Sequence, residues 1–181
     1  NILTEIEYLR EYEGEFVEEE DTYFPRELVI SVIFDINEQQ KSRDTLNYEY
    51  YLAVDIARYG SDETVYIIIE VNRNNLADVI FIRSTKKMPL TDTIGRIKQL
   101  NQLFDFKAVY IDESGIGGGV IDSLAESNVR IRNLDGEIGG ITFTLQNKEI
   151  MYKNLKLLME QKRLRIPNHE KMINQLLNLR V

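Results

Sequence analysis

Two aspartates stand where apolar strands run out, and glycine follows each of them. Asp55 closes Tyr51-Leu-Ala-Val-Asp55, after which the chain turns through Gly60 and Asp62 into a second apolar run. Asp112 closes Ala108-Val-Tyr-Ile-Asp112 ahead of Gly115, Gly117, Gly118 and Gly119. Alternate residues of a strand share a face, so Asp55 lies with Tyr51 and Ala53, and Asp112 with Ala108 and Tyr110. If the two strands are neighbours, about 4.8 Å apart, both carboxylates reach one ion, and a magnesium ion relieves the repulsion between them. Asp62 returns beside Asp55 across the turn and is a further candidate ligand. Taken singly, each acid has another reading as a turn or cap residue that merely ends its strand. Glu113 is expected on the opposite face from Asp112.

Other metal chemistries are excluded by composition. The chain has no cysteine and one histidine, which leaves no thiolate site and no cluster of imidazoles, so a metal here is held by oxygen. His169, beside Pro167 and Asn168 at a helix start, reads as a capping or solvated residue. The glycines from Gly115 to Gly119 let backbone amides approach an oxyanion at a helix start, but neither a dinucleotide fingerprint nor the Walker lysine accompanies them.

The elements that must position these acids follow from periodicity. The 181 residues, 43% of them hydrophobic, suffice for one compact unit with a substantial core. No signal-peptide pattern and no apolar run of roughly 18 residues occurs, which predicts a soluble chain, and the start at Asn1 reads as a cut from something longer. A helix is expected from Thr4 to about Glu13 and a short helical segment from Pro25, with a loop from Asp35 to Glu49. Strands follow at 50–57, 64–71 and 78–85 as a meander, then a helix at 91–104 and a strand at 108–111. That strand, helix, strand crossover implies parallel pairing. Beyond the glycines come a short helix at 120–127, a short strand at 129–133 and a loop at 135–140. Two helices close the chain, at 148–161 with Ile150, Met151, Leu155, Leu158 and Met159 inward, and at 170–179.

The net charge of −8 is unevenly distributed. Residues 1–24 hold nine acids against Arg10 alone, so the acidity belongs to that arm. From Asn147 to Val181 eight Lys or Arg face Glu149, Glu160 and Glu170, which makes a basic surface there, or simply a solvated helix face.

The order Asp55-x-Ala57-x-x-Gly60-x-Asp62-x-Thr64-Val65, then Tyr110-Ile111-Asp112-Glu113-x-Gly115-x-Gly117-x-Gly119-Val120-x-Asp122-x-Leu124, resembles the nuclease domain of viral terminase large subunits. Glu11-Tyr12-x-Gly14-Glu15-Phe16-Val17, Gln146-Asn147-Lys148, Leu164-x-Ile166-Pro167 and Gln175-Leu176 extend the likeness over nearly the whole chain. The resemblance implies an α/β, ribonuclease H-like fold with a mixed central β-sheet flanked by helices. Residues 1–49 would be an acidic arm and loop leading into a nuclease domain at 50–181. It implies cleavage of concatemeric DNA with two Mg2+ or Mn2+ ions, Asp55 as the bridging ligand and Asp112 as the second acid. Gly60, Gly115, Gly117 and Gly119 would shape the site loops, and Lys148, Lys153 and Lys156 would steer the DNA backbone.

The implied partners are double-stranded DNA, the ATPase domain of the same subunit, a small subunit and a portal, in the host cytoplasm and without a membrane. The Gly-x-x-x-x-Gly-Lys motif of such an ATPase is not found. The family's third aspartate lies downstream of the Gln-Leu segment, and the sequence reaches Val181 soon after Gln175-Leu176, so the expectation is a domain truncated there, or one impaired in catalysis. The other readings are a DNA- or partner-binding domain and an actin-like ATPase module.

Overall fold

The computed structural model describes residues 22–34, 46–57, 63–113 and 118–180. Its frame is a six-stranded mixed sheet with strand order β1-β6-β4-β3-β2-β5. The strands are β1 (Ile33–Phe34), β2 (Tyr48–Asp55), β3 (Glu63–Asn72), β4 (Ala77–Lys86), β5 (Ala108–Ile111) and β6 (Leu164–Pro167). The helices are α1 (Arg26–Ile30), α2 (Leu90–Phe104), α3 (Gly118–Ala125), α4 (Leu145–Glu160) and α5 (Glu170–Leu177).

The expected meander forms the centre. β2 pairs antiparallel with β3 from Tyr48 opposite Asn72 to Asp55 opposite Val65, and β3 pairs antiparallel with β4. The turn between β3 and β4 is built by Asn72, whose Oδ1 accepts the amides of Asn74 and Leu76, with Asn75 left-handed at φ 58°. α2 then crosses over and delivers β5 parallel to β2.

Period-two burial assigns the faces. Tyr50, Leu52 and Val54 of β2, Tyr66 and Ile68 of β3, and Val109 and Ile111 of β5 are buried with Ile97 of α2 and Leu124 of α3. On the other face, Val79, Leu164 and Ile166 are buried with Phe24, Val29 of α1 and Met159 of α4, and Ile67, Ile69 and Ile82 pack at the margin. This is the mixed, helix-flanked sheet expected. Among the described residues no helix is long and apolar enough to cross a membrane.

Several expectations are corrected. β2 begins at Tyr48, inside the segment read as loop, because Tyr48 and Glu49 pair with Asn72 and Val71. β1 and β6 were not expected as strands; they pair in parallel with each other through two residues, and β6 with β4 through two more, too short for a readable period. The strand at 129–133 reduces to one bridge, Val109 with Ile131.

α4 starts at Leu145 rather than Lys148 because Thr144 caps it. The Thr144 hydroxyl accepts the Asn147 amide at 3.2 Å while Asn147 Oδ1 accepts the Thr144 amide at 2.8 Å. Ile150 is 52% exposed instead of inward. Gly119 sits in the first turn of α3, where an added Cβ would meet nothing, so it is a helix residue rather than one shaping a loop. The helix expected at Thr4 to Glu13 lies outside the described residues.

Candidate metal centre

The two strands that carry the acids are neighbours. β2 and β5 run parallel with Ala53 opposite Tyr110 and Val54 opposite Ile111. One step further the Asp112 amide donates to the Val54 carbonyl at 3.3 Å. Asp55 and Asp112 therefore stand side by side at the carboxyl ends of adjacent strands, on strands about 4.8 Å apart. By parity both lie on the face of Ala53 and Tyr110, away from the face on which Leu52, Val54, Val109 and Ile111 are buried. Asp55 is exposed and Asp112 half-buried, so this end of the sheet is open to solvent at the carboxylates.

A second segment braces Asp112 from the far side. Asp112 bridges in parallel to Ile141, the Ile141 amide donates to the Ile111 carbonyl at 2.7 Å, and the Glu113 amide donates to the Ile141 carbonyl at 3.1 Å. The Glu113 carboxylate accepts the Gly140 amide at 3.2 Å and the Thr142 hydroxyl at 2.7 Å. Gly140 is required by this contact: a Cβ there would lie 2.5 Å from the Glu113 Cβ and 3.1 Å from the Ile111 carbonyl oxygen.

α4 starts from the same corner. Lys148, Tyr152, Leu155 and Met159 follow one another at helical spacing; Tyr152, Leu155 and Met159 pack on the core, and Lys148 precedes them on that stripe, exposed in the first turn. Its ammonium lies 5.7 Å from the Phe143 ring centre. Lys153 pairs with Glu149 at 2.7 Å, and Lys156 lies 5.5 Å from the ring centre of Tyr23. The three lysines thus have separate settings along α4, with Lys148 nearest its start. His169 caps α5, its Nδ1 accepting the Met172 amide at 3.2 Å.

Sequence reasoning missed Glu63. It shares the face of Asp55, because Val65 is opposite Asp55 and Glu63 lies two residues from Val65. Lys171 of α5 and Lys86 of β4, the latter at 3.2 Å, both pair with its carboxylate. The hydrogen bond from Lys171, then that from Lys86, hold the Glu63 carboxyl down at about 2. No local pattern announces partners 23 and 108 residues away.

Asp55 and Asp112 offer hard carboxylate oxygens, which suit a small divalent cation that keeps several of its waters. Among the described residues no group of three or more His, Cys, Asp or Glu gathers to enclose an ion. Asp62, Gly60, Gly115 and Gly117 lie outside the described residues.

The magnesium-bound nuclease of the large terminase from the thermophilic phage G20c superimposes with a TM-score of 0.67 at 18% identity, covering 88% of this chain and 81% of that one. The chain has the large-terminase nuclease fold. The nuclease domain from Thermus phage P74-26 agrees, with a TM-score of 0.62 at 16% identity over 88% of this chain and 79% of that one. The G20c large-terminase nuclease has also been solved with cobalt and with zinc. In sequence, the terminase large subunit of Thermus phage G20c is 21% identical over 98% of this chain, which spans 35% of that relative. No protein-family model matches the sequence.

Proposed function

We propose that this chain is the nuclease domain of a DNA-packaging terminase large subunit, a divalent-metal-dependent endonuclease that cleaves concatemeric viral DNA. The observation that carries the reading is the placement of Asp55 and Asp112 on adjacent parallel strand ends, on one face and open to solvent. The G20c nuclease, of the same fold, binds magnesium, cobalt and zinc, which supports a divalent ion at the same edge here.

In this reading Asp55, at the tip of β2, would be the shared ligand and Asp112 the second, with Asp62 a further candidate ligand. Two bound Mg2+ or Mn2+ ions would supply Lewis-acid activation of the attacking water and neutralise charge on the leaving 3′ oxygen. The chain's own contribution is orientation. The ladder between β2 and β5 fixes the spacing of the carboxylates, and the core face behind it keeps the strand ends from shifting. Lys148, in the first turn of α4, reaches a DNA phosphate near the acids, with Lys153 and Lys156 extending a basic track along the helix. The ATPase domain of the same subunit, a small subunit and a portal are the partners that belong to this role, in the host cytoplasm.

The test is manganese-dependent cleavage of supercoiled plasmid, with Asp55→Ala abolishing it. Cleavage that survives Asp55→Ala contradicts the assignment.

A second reading is a domain that binds DNA or packaging partners without cutting. It is favoured by the basic balance of residues 147–181, where eight Lys or Arg face three acids. Salt-sensitive DNA binding without cleavage at any metal concentration would select it.

A further inference from the structure

We propose that Glu113 is a positioning residue for the metal centre, fastening residues 140–147 to the end of β5 so that Asp112 and Lys148 keep a fixed relation. This rests on the metal-dependent reading above.

Both carboxylate oxygens of Glu113 already have protein donors. One accepts the Gly140 amide at 3.2 Å and the other the Thr142 hydroxyl at 2.7 Å, so the side chain acts as a brace and not as a ligand. Hydrogen bonds to an ionised acceptor are stronger than neutral ones, and here two converge on one carboxylate. The connection continues without a break: Asn147 Nδ2 donates to the Thr142 carbonyl at 2.8 Å, and Asn147 and Thr144 cap α4 reciprocally. From the residue next to Asp112, a continuous path of hydrogen bonds therefore reaches the turn of α4 that carries Lys148.

The main chain shows why a brace is needed. Beyond Ile111 the regular ladder ends: the Asp112 amide bonds to Val54 on one side, and on the other the Ile141 segment joins through the Ile141 amide to Ile111 and the Glu113 amide to Ile141. The 140–142 segment contributes one bridge there rather than a strand, so little in its backbone pairing alone resists slippage. The Glu113 side chain supplies two further attachments at that point. Gly140 permits the approach, since any side chain there would collide with Glu113 and with the Ile111 carbonyl. Loss of the brace frees the Asp112 carboxylate to turn away from Asp55, and metal affinity falls as it does when the outer partners of metal ligands are removed.

The experiment compares the wild type with Glu113→Gln, Thr142→Val and the double variant. Manganese binding is measured by titration calorimetry well below every variant's melting temperature, alongside the metal-free melting temperature. Each single variant is expected to weaken manganese binding by roughly tenfold. The double variant should fall short of the sum of the two singles, because both changes act on the same Glu113–Thr142 contact. Manganese affinities within about twofold of wild type in both single variants, with only the melting temperature lowered, would reduce Glu113 to scaffold and overturn the proposal. A wild type that binds manganese with unchanged variants therefore fails this inference alone. A wild type that binds none fails the metal reading as well.

Discussion

The Asp112 amide donates to the Val54 carbonyl at 3.3 Å, which carries the β2–β5 ladder one residue past its last regular pair and sets Asp112 beside Asp55. Two acids 57 positions apart in sequence thereby become neighbours at one edge of a sheet whose other face is core. The proposed chemistry depends on that juxtaposition.

Neighbouring carboxylates repel when no cation lies between them. Asp55→Asn and Asp112→Asn keep the shape of each side chain and remove its charge. The same substitutions should remove the rise in melting temperature that manganese gives the wild type, since only a ligand bound to the native state stabilises it. Differential scanning fluorimetry with and without metal checks both. A fall in metal-free stability would mean that the acids serve as structural caps.

Gly140→Ala should destabilise the fold by about 1–3 kcal/mol, as overpacking does, because its Cβ meets the Glu113 Cβ and the Ile111 carbonyl, which cannot swing aside as the Glu113 carboxylate can. Urea unfolding measures it. An unchanged midpoint would show that the 140–142 segment is not held against β5.

Arg165 pairs with Asp78 through two hydrogen bonds, at 2.7 and 2.6 Å, and joins β6 to β4 where Asp78 is almost fully buried. Arg165→Ala should cost about 2 kcal/mol, less than for a fully enclosed pair because the guanidinium is half exposed. Arg165→Lys should recover only part of that, since an ammonium cannot make the two-pronged contact. Denaturant midpoints at constant slope report the difference.

The Glu63 carboxyl is lowered from its ordinary 4.5 to about 2, chiefly by Lys171 and then by Lys86. Its unfolded-state value is the higher one, so the stability it contributes is complete above pH 4.5 and is lost as pH falls through about 2. Glu63→Gln should flatten the dependence of melting temperature on pH within that window and leave it unchanged near neutrality. Equal acid slopes for the variant and the wild type would show that the Lys171 and Lys86 contacts do not hold in solution.

The acid-bearing strands were legible because an apolar run with buried residues at every second position leaves a period that can be read, and because each ends on a carboxylate. Tyr50, Leu52 and Val54 against Tyr51, Ala53 and Asp55 is such a case. β6 was not legible: Leu164-Arg-Ile-Pro167 has four residues, three of them buried around an arginine that pairs with Asp78, and it is a strand only because β1 and β4 flank it. Ile150 misled because the first turns of α4 extend beyond the buried stripe that begins at Tyr152, so helical spacing alone assigned it to the core. Glu113 and Glu63 find their partners across the fold, through Thr142, Gly140, Lys86 and Lys171, and such pairings follow from the chain's path rather than from any local pattern.

The most direct measurement is an anomalous difference map from crystals soaked in manganese, collected at the metal's absorption edge. The account predicts density ligated by carboxylate oxygens of both Asp55 and Asp112, at oxygen-to-metal distances of roughly 2.0–2.3 Å. Density ligated by neither residue, or no density at the carboxyl ends of β2 and β5, would contradict it.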